Sequence, residues 1–445
     1  MIKCCLVGAD RSKREIVSEA RTAHSTSQIV NVLGYEPMRS AWQLEVVARG
    51  DLQRCPRWRG AFADERKDHR YYELVEDTLH PEFDYRYFVI KDTAGQVCAV
   101  QPFFLLDLDM LVGASPRFGV LIDAIRRMWP CLMRARTLMV GCVAGEGHLD
   151  GDEARHGARA ELLASTIAEH SRRLGAQLIV FKEFPARYRS VLDCLIDHGF
   201  TRIPSLPMTR LCIDYASFED YMKRALNSAT RRKLRKKFAA TERAAPLEMS
   251  IANDAAPMIA QIYPLYLQVY ERSKLHFEKL TEQYFCDLGR RMGDRVRFFV
   301  WRQSGRIVAF ATCIVHCEAI YAEYIGLDYE VALDLHLYHY VFRDMVSWAM
   351  ANGYKSFRSS GLNYDPKLHL RHSLDPLDLY VRHTSVPINT LLKHILPAIE
   401  PTRYDGTLAK FRNYRELWGP PRDGNRSSVA RGATALRKIA SRPAK

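Results

Sequence analysis

Three stretches of the chain carry residue types that do chemistry. Glu323 lies in residues 319–327 (AIYAEYIGL), a run of β-formers. Two-residue alternation groups it with Tyr321, Ile325 and Leu327 on one face. A carboxylate among apolar neighbours has a raised pKa, which suits a general base for an ammonium substrate. The competing reading is an edge carboxylate paired with an arginine. Tyr324, the next residue, is expected to touch substrate. So is Ser360, in the Ser359-Ser360-Gly361 end of a following strand that lines the cleft. The second stretch is residues 223–237, with eight basic side chains and no acid. Such a helix can simply be a solvated face. Arg231 and Arg235 are nonetheless candidates for phosphate contact, to a tRNA backbone or a membrane surface, and this binding would weaken steeply with salt. Few aromatic residues interleave, so base stacking is not suggested and no stable DNA complex is expected. The third stretch is the glycine-rich loop 143–151 (VAGEGHLDG), with Gly145 and Gly147 at its centre.

Other constellations point away from chemistry. His336 and His339 share a helix face, and His369 and His372 repeat the spacing, but no third ligand completes either pair, so no metal site is expected. Cys313, His316 and Cys317 read as structural. There is no G-x-S-x-G nucleophile signature.

The elements that must position Glu323 run from residue 297 to 358. Residues 297–301 (RFFVW) and 307–315 (IVAFATCIV) read as a hairpin around Gln303-Ser304-Gly305. Residues 319–327 form a third strand. Asp334 reads as the N-cap of a helix carrying Leu337, Val341, Met345 and Trp348 on one face. Asn352-Gly353 stops it, and 355–358 is a further short strand. This unit appears twice. Residues 86–100 (RYFVIKDTAGQVCAV) match 297–310 (RFFVWRQSGRIVAF) in step, with Gly95 and Gly305 standing 210 residues apart. Downstream, Gly175 and Gly353 close matching helices only 178 residues apart, so the first copy carries about thirty extra residues, assigned to 111–136. A repeat this long is a duplicated domain.

The rest of the chain fits around that duplication. The 445 residues predict two to four domains. The boundaries are a leader at 1–36, a first domain at 37–214, a second at 215–418, and a basic disordered tail at 419–445. Weak helical signals occur around 14–23. Helices are expected at 66–79, 158–174, 190–198, 218–237, 257–273 (kinked by Pro264), 281–292 and 387–399. Strands are expected at 137–142, 177–181, 208–213 and 377–382, the third of these ending the first copy; 37–47 carries mixed signals and 363–375 is a connector. Eleven cysteines without a CxxC pair read as free thiols in a reducing compartment. No apolar run is long enough to span a bilayer and no signal peptide is evident, so a cytoplasmic protein is expected. The net charge of +14 favours acidic partners.

Taken together, certain motifs resemble the GNAT superfamily of N-acyltransferases, in its tandem FemAB-like branch. In the first copy they are GEGHLD (145–150), LIVFKEFP (178–185), HGF (198–200) and PSLPMTRLCID (204–214). In the second they are SATRRKLRKK (228–237), YDPKLHL (364–370) and PLDLYVRH (376–383). The resemblance covers residues 40–415. It implies an α/β (mixed α+β) fold of two tandem GNAT-like domains, each a mixed, mostly antiparallel sheet flanked by helices. It implies transfer of an acyl group, in the leading case acetyl from acetyl-CoA or another acyl-CoA, to a primary amine of an envelope, polysaccharide or small-molecule acceptor. Two alternatives are an aminoacyl-tRNA donor and a GNAT-fold binding protein without catalysis. The resemblance makes Tyr364 a candidate general acid, against a packing role among 22 tyrosines. It makes Lys367 a candidate point charge for a carboxylate or phosphate, and Gly145 and Gly147 candidate cofactor-binding residues. The pyrophosphate loop of the family is glycine-rich and basic. Here the second copy reads DYEVALD (328–334), with three acids and no glycine.

Overall fold

The structure is a computed structural model and describes residues 42–79, 82–109, 134–244, 246–273 and 277–419. The leader, the weak helix around 14–23, most of the extra segment at 111–136 and the tail beyond Gly419 lie outside the described residues.

The first half runs β1 (Gln43–Val47), α1 (His69–Thr78), β2 (Asp84–Lys91), β3 (Val97–Asp109), β4 (Arg134–Val140), α2 (His156–Arg173), β5 (Leu178–Pro185), α3 (Arg189–Asp197), β6 (Thr201–Pro204) and β7 (Met208–Cys212). Two helices follow, α4 (Phe218–Ala225) and α5 (Ser228–Ala244). The second half runs β8 (Glu248–Ala252), α6 (Ile259–Arg272), α7 (Glu282–Met292), β9 (Val296–Gln303), β10 (Arg306–His316), β11 (Ala319–Leu327) and α8 (Leu337–Ala351). It ends with β12 (Ser356–Ser359), α9 (Tyr364–His369), β13 (Ser373–Asp375), β14 (Leu377–His383) and α10 (Val386–Ile399).

The β9–β10 hairpin closes where expected. Ser304 and Gly305 both have positive φ (50° and 79°), and Gln303 pairs with Arg306 across them. Two consecutive left-handed residues give the turn a twist that matches the strands. Elsewhere local chemistry shifts the expected boundaries. The basic helix is two helices, because Leu226 leaves the helical region and Asn227 restarts the chain, its Oδ1 accepting from the Thr230 amide at 2.8 Å. Helix α8 starts at Leu337, after His336 at φ 47°, so Asp334 lies in the preceding turn and does not cap it.

Two seven-stranded sheets result, ordered β1-β2-β3-β4-β5-β14-β6 and β13-β7-β12-β11-β10-β9-β8. They are the two copies of the repeat, with one strand exchanged. β7, expected to end the first copy, pairs antiparallel with β12 of the second sheet, Phe357 opposite Leu211. β14, the last strand among the described residues, enters the first sheet between β5 and β6. The pair β4–β5 and the pair β11–β12 are the parallel neighbours, each flanked by antiparallel strands.

The halves also share a core. One buried cluster holds Tyr71, Leu74, Val75 and Phe104 from the first half with Tyr284, Phe285, Phe298 and Phe310 from the second. Helix α1 lies against α7, where the Tyr71 and Tyr284 hydroxyls meet at 2.8 Å. Arg70 reaches Asp294 at 2.9 Å, and Arg295 donates to the Glu65 carbonyl at 2.7 Å.

Candidate active site

In the second sheet, β11 and β12 run parallel only as far as Ala322 and Ser359 and then part. At that point β11 carries one extra residue. Thr312 of β10 faces Tyr324 and Cys313 faces Ala322, so Glu323 is the unpaired member of a β-bulge. A bulge breaks two-residue alternation and re-aims a side chain. Ala322, Ile325 and Leu327 therefore pack together on one side, whereas Tyr324 belongs to the core shared between the halves. Glu323 leaves the face of Ile325 and Leu327 on which alternation placed it. Its neighbours are ionic, not apolar.

Those neighbours come from the other half. Glu323 forms ion pairs with Arg66 and with Lys67, the latter at 3.2 Å, and its side chain is 9% exposed. Arg66 simultaneously holds Glu146, with Nε donating to Oε1 at 2.8 Å, and stacks 4.4 Å above the Tyr321 ring. Lys67 donates to the Ala144 carbonyl at 3.0 Å. His148 continues the chain of contacts, 3.3 Å from Glu146 and 3.4 Å from Glu65. Sequence reasoning passed over Arg66 and Lys67 as the start of the helix expected at 66–79; that helix begins only at His69, and their partner is more than 250 residues away.

Burial sets the electrostatics. It would raise the Glu146 carboxyl, but Arg66 and Lys67 hold that group well below the usual carboxylate range. Burial, with Arg66 alongside, lowers Lys67 to about 8. Two cations between two carboxylates make a balanced quartet. Removing one member strands a buried charge.

The other candidate residues fall in three groups. Tyr324, beside Glu323, donates to Glu278 at 3.1 Å. Ser360 is exposed at the parting of the strands; its amide donates to the Ala322 carbonyl at 3.3 Å. The buried Lys367 holds the turn in place, donating to the carbonyls of Ser360 at 2.6 Å and Leu362 at 2.9 Å. Burial lowers it to about 7. Tyr364 is buried, its hydroxyl bound to the Pro207 carbonyl at 2.8 Å and its ring against Phe411. Tyr324, Ser360 and Lys367 join Glu323 in one neighbourhood at the parted strands through the Ala322–Ser360 and Ser360–Lys367 bonds, whereas Tyr364 sits in a separate buried cluster.

Gly145 and Gly147 occupy the matching place in the first half, between β4 and β5. They fill it. The Gly147 amide donates to the Glu183 carbonyl at 3.2 Å, and a Cβ there would stand 2.6 Å from Phe184. The Gly145 carbonyl accepts from Lys182 at 3.0 Å, and a Cβ there would stand 2.1 Å from Lys67 Nζ. Neither glycine opens a helix, since α2 begins only at His156.

Arg231 and Arg235 lie on α5, away from this neighbourhood in their contacts. Arg231 donates to the Leu226 carbonyl at 2.6 Å at the end of α4, and Arg235 pairs with Glu219. Arg232, Lys233 and Lys236 are exposed on the same helix. The inner face of α5 packs on α8, with Phe238 against Tyr340 and the Thr241 hydroxyl bound to the Leu335 carbonyl.

The loop between β11 and α8 is where a GNAT-type pyrophosphate would be sought. Most of its amides are already engaged: Glu330 with the Asp328 carboxylate at 3.1 Å, Val331 and Ala332 with the Asp328 carbonyl, and Leu335, His336 and Leu337 with carbonyls of the same loop. Asp328 is buried and paired with Arg306. Occupied amides and adjacent carboxylates do not fit coenzyme A here. Among the described residues no group of three His, Cys, Asp or Glu side chains is placed to hold a metal ion.

Comparison with known proteins gives a family for the second half. Residues 228–367 match the model described as an acetyltransferase (GNAT) domain. No curated protein matches the sequence. Among solved structures the chain is similar to FemX (10% identity, 79% of this chain and 100% of that one, TM-score 0.47). It is also similar to L-PGS from Bacillus licheniformis (12% identity, 77% and 99%, TM-score 0.44). A third likeness is to the C-terminal domain of a putative lysylphosphatidylglycerol synthetase from Agrobacterium fabrum (14% identity, 70% and 88%, TM-score 0.40). Scores this low carry no residue role across.

Proposed function

We propose, from the premise that this chain belongs to the GNAT superfamily with a tandem layout, that it transfers an acyl group to a primary amine at the seam between its halves. The observation that carries this is the bulge that sets Glu323 where β11 and β12 part. An acceptor ammonium entering there meets a carboxylate already shaped to hold two cations. It would displace the contact from Lys67, and Glu323 would take the amine's proton directly or through water. As the amide bond forms and the donor's ester or thioester bond breaks, Lys67, lowered to about 8, is suited to give its own proton to the leaving oxygen or sulfur at neutral pH and to be recharged by the proton that Glu323 has taken. Ser360 and the turn fixed by Lys367 would line the acyl group, and proximity would supply much of the rate.

For the donor, the reading favoured here is an aminoacyl-tRNA over acetyl-CoA. The loop at 328–336 offers no phosphate cradle, while α5 exposes Arg232, Lys233 and Lys236 on the helix that packs beside it. Thermal-shift titration separates the two. A donor at 100 times its dissociation constant adds roughly 2.7 kcal/mol, so charged tRNA should raise the melting temperature and acetyl-CoA should not. The opposite result restores the coenzyme A reading. If neither donor shifts it, the binding-protein alternative stands. For the reaction itself, Glu323→Gln should lower acyl transfer about 10²–10⁴-fold, and unchanged transfer sinks the role given to Glu323. Lys233→Glu with Lys236→Glu should abolish tRNA-dependent transfer and spare a coenzyme A reaction.

A further inference from the structure

Helix α10 has a face that nothing among the described residues covers. No residue of its 14 is buried. Leu392 and Leu396 pack against the shared core, and the helix rests on β14 and β6. On the outward side Ile388, Leu391, Ile395 and Ile399 recur at three- and four-residue spacing, which makes one stripe. They are 43%, 58%, 38% and 47% exposed, and Val386 in the first turn is 77% exposed. The other exposed large hydrophobics among the described residues, Met249, Leu333 and Leu362, are scattered singly, which is ordinary for a protein surface. Five on one short helix are not.

We infer that α10 docks on an anionic lipid surface, lying in the headgroup plane with its stripe inward. Charge selects this occupant. Between 386 and 399 the only charged side chain is Lys393, with His394 beside it and no acid. The sequence from 420 to 445 adds seven basic residues against one acid. An apolar face on a helix with a lysine and no acid fits an interfacial helix, and a basic segment elsewhere in the sequence adds attraction to anionic headgroups. A second copy fits less well. Five side chains fall far short of the roughly 20–30 residues a side of a standard interface, and two chains of +14 each repel. The helix would rest on the bilayer and not cross it: no helix among the described residues is long and apolar enough to span.

The test is co-sedimentation of the full chain with vesicles of phosphatidylcholine alone and of phosphatidylcholine mixed with phosphatidylglycerol. The chain should pellet with the mixed vesicles, less so as salt rises, and stay in solution with phosphatidylcholine. Leu391→Glu with Ile395→Glu should weaken binding at least tenfold without moving the melting temperature. Should that variant unfold, Leu391→Ser with Ile395→Ser gives the same comparison. The proposal is overturned if the wild type does not pellet with mixed vesicles, if it binds both kinds equally, or if the variants bind as the wild type does. A wild-type dimer in sedimentation velocity that the variants dissolve would assign the face to a second copy instead. None of these outcomes depends on catalysis.

Discussion

The two halves close the same gap by different means. Between β4 and β5 the chain's own backbone does it: Gly147 presses against Phe184 and the Lys182 carbonyl, where no side chain fits. Between β11 and β12 the gap is met by side chains, Glu323 from within the sheet and Arg66 and Lys67 from across the seam. A backbone plug is fixed by its hydrogen bonds. Side-chain ion pairs can exchange partners, so an ammonium or carboxylate can replace a member without unfolding anything. The comparison therefore assigns structure to the first gap and makes the second the place where the proposed ligand exchange would occur.

The comparison can be broken at several places. The largest effect should come from separating the halves. Residues 42–214 and 215–419 made as two chains should each lack a cooperative thermal transition, and recover one only when mixed, because each sheet needs a strand from the other. A cooperative transition in either fragment alone would show that the exchange is dispensable. Next is Arg66→Met, which leaves Glu146 and Glu323 facing each other with Lys67 alone. Loss of about 3–5 kcal/mol in urea unfolding is expected, and a neutral result would mean that the quartet is loosely held. Gly147→Ala should lose about 1–3 kcal/mol through overpacking. A fully tolerated alanine would show that the first gap is roomier than its contacts imply.

A comparable effect sharpens the contrast through pH. Lys367, which fixes the rim of the second gap, is lowered by burial to about 7 from 10.5. Below pH 7 it is charged in both states and its burial is unfavourable. Between pH 7 and 10.5 the unfolded chain holds the proton and the folded chain does not, so stability rises with pH across that window. Wild type should gain about 2–3 kcal/mol over Lys367→Met between pH 6.5 and 9. A difference that ignores pH would place the ammonium in contact with water.

The repeated unit was legible because it is local. Turn residues at 303–305, apolar alternation in β9 to β11 and the Asn352-Gly353 stop each specify their element within a few residues. The exchange of β7 and β14 was not, since a short strand reads the same whichever sheet accepts it. Glu323 stood out by type and position. Its surroundings did not, for two reasons: a single bulge inverts the alternation on which the face was read, and its partners, Arg66 and Lys67, were read as the first residues of a helix that begins only at His69. Tyr364 and Lys367 were singled out for chemistry, and the structure shows what else each does, one sealing a small cluster with Phe411 and the other pinning a turn. Residue type alone cannot separate a buried polar group held by carbonyls from one aimed at a ligand.

The strand exchange also has a consequence for how the protein is made. β5 leaves the ribosome with its neighbour still nearly two hundred residues from being synthesised. Until β14 arrives, a row of amides and carbonyls along β5 stays unsatisfied, and an open edge of that kind recruits stray strands. Any chain halted before residue 377 would keep this edge for good. Damaged messages and stalled synthesis should thus yield adhesive fragments, and β14 acts as the fastener that closes the open edge.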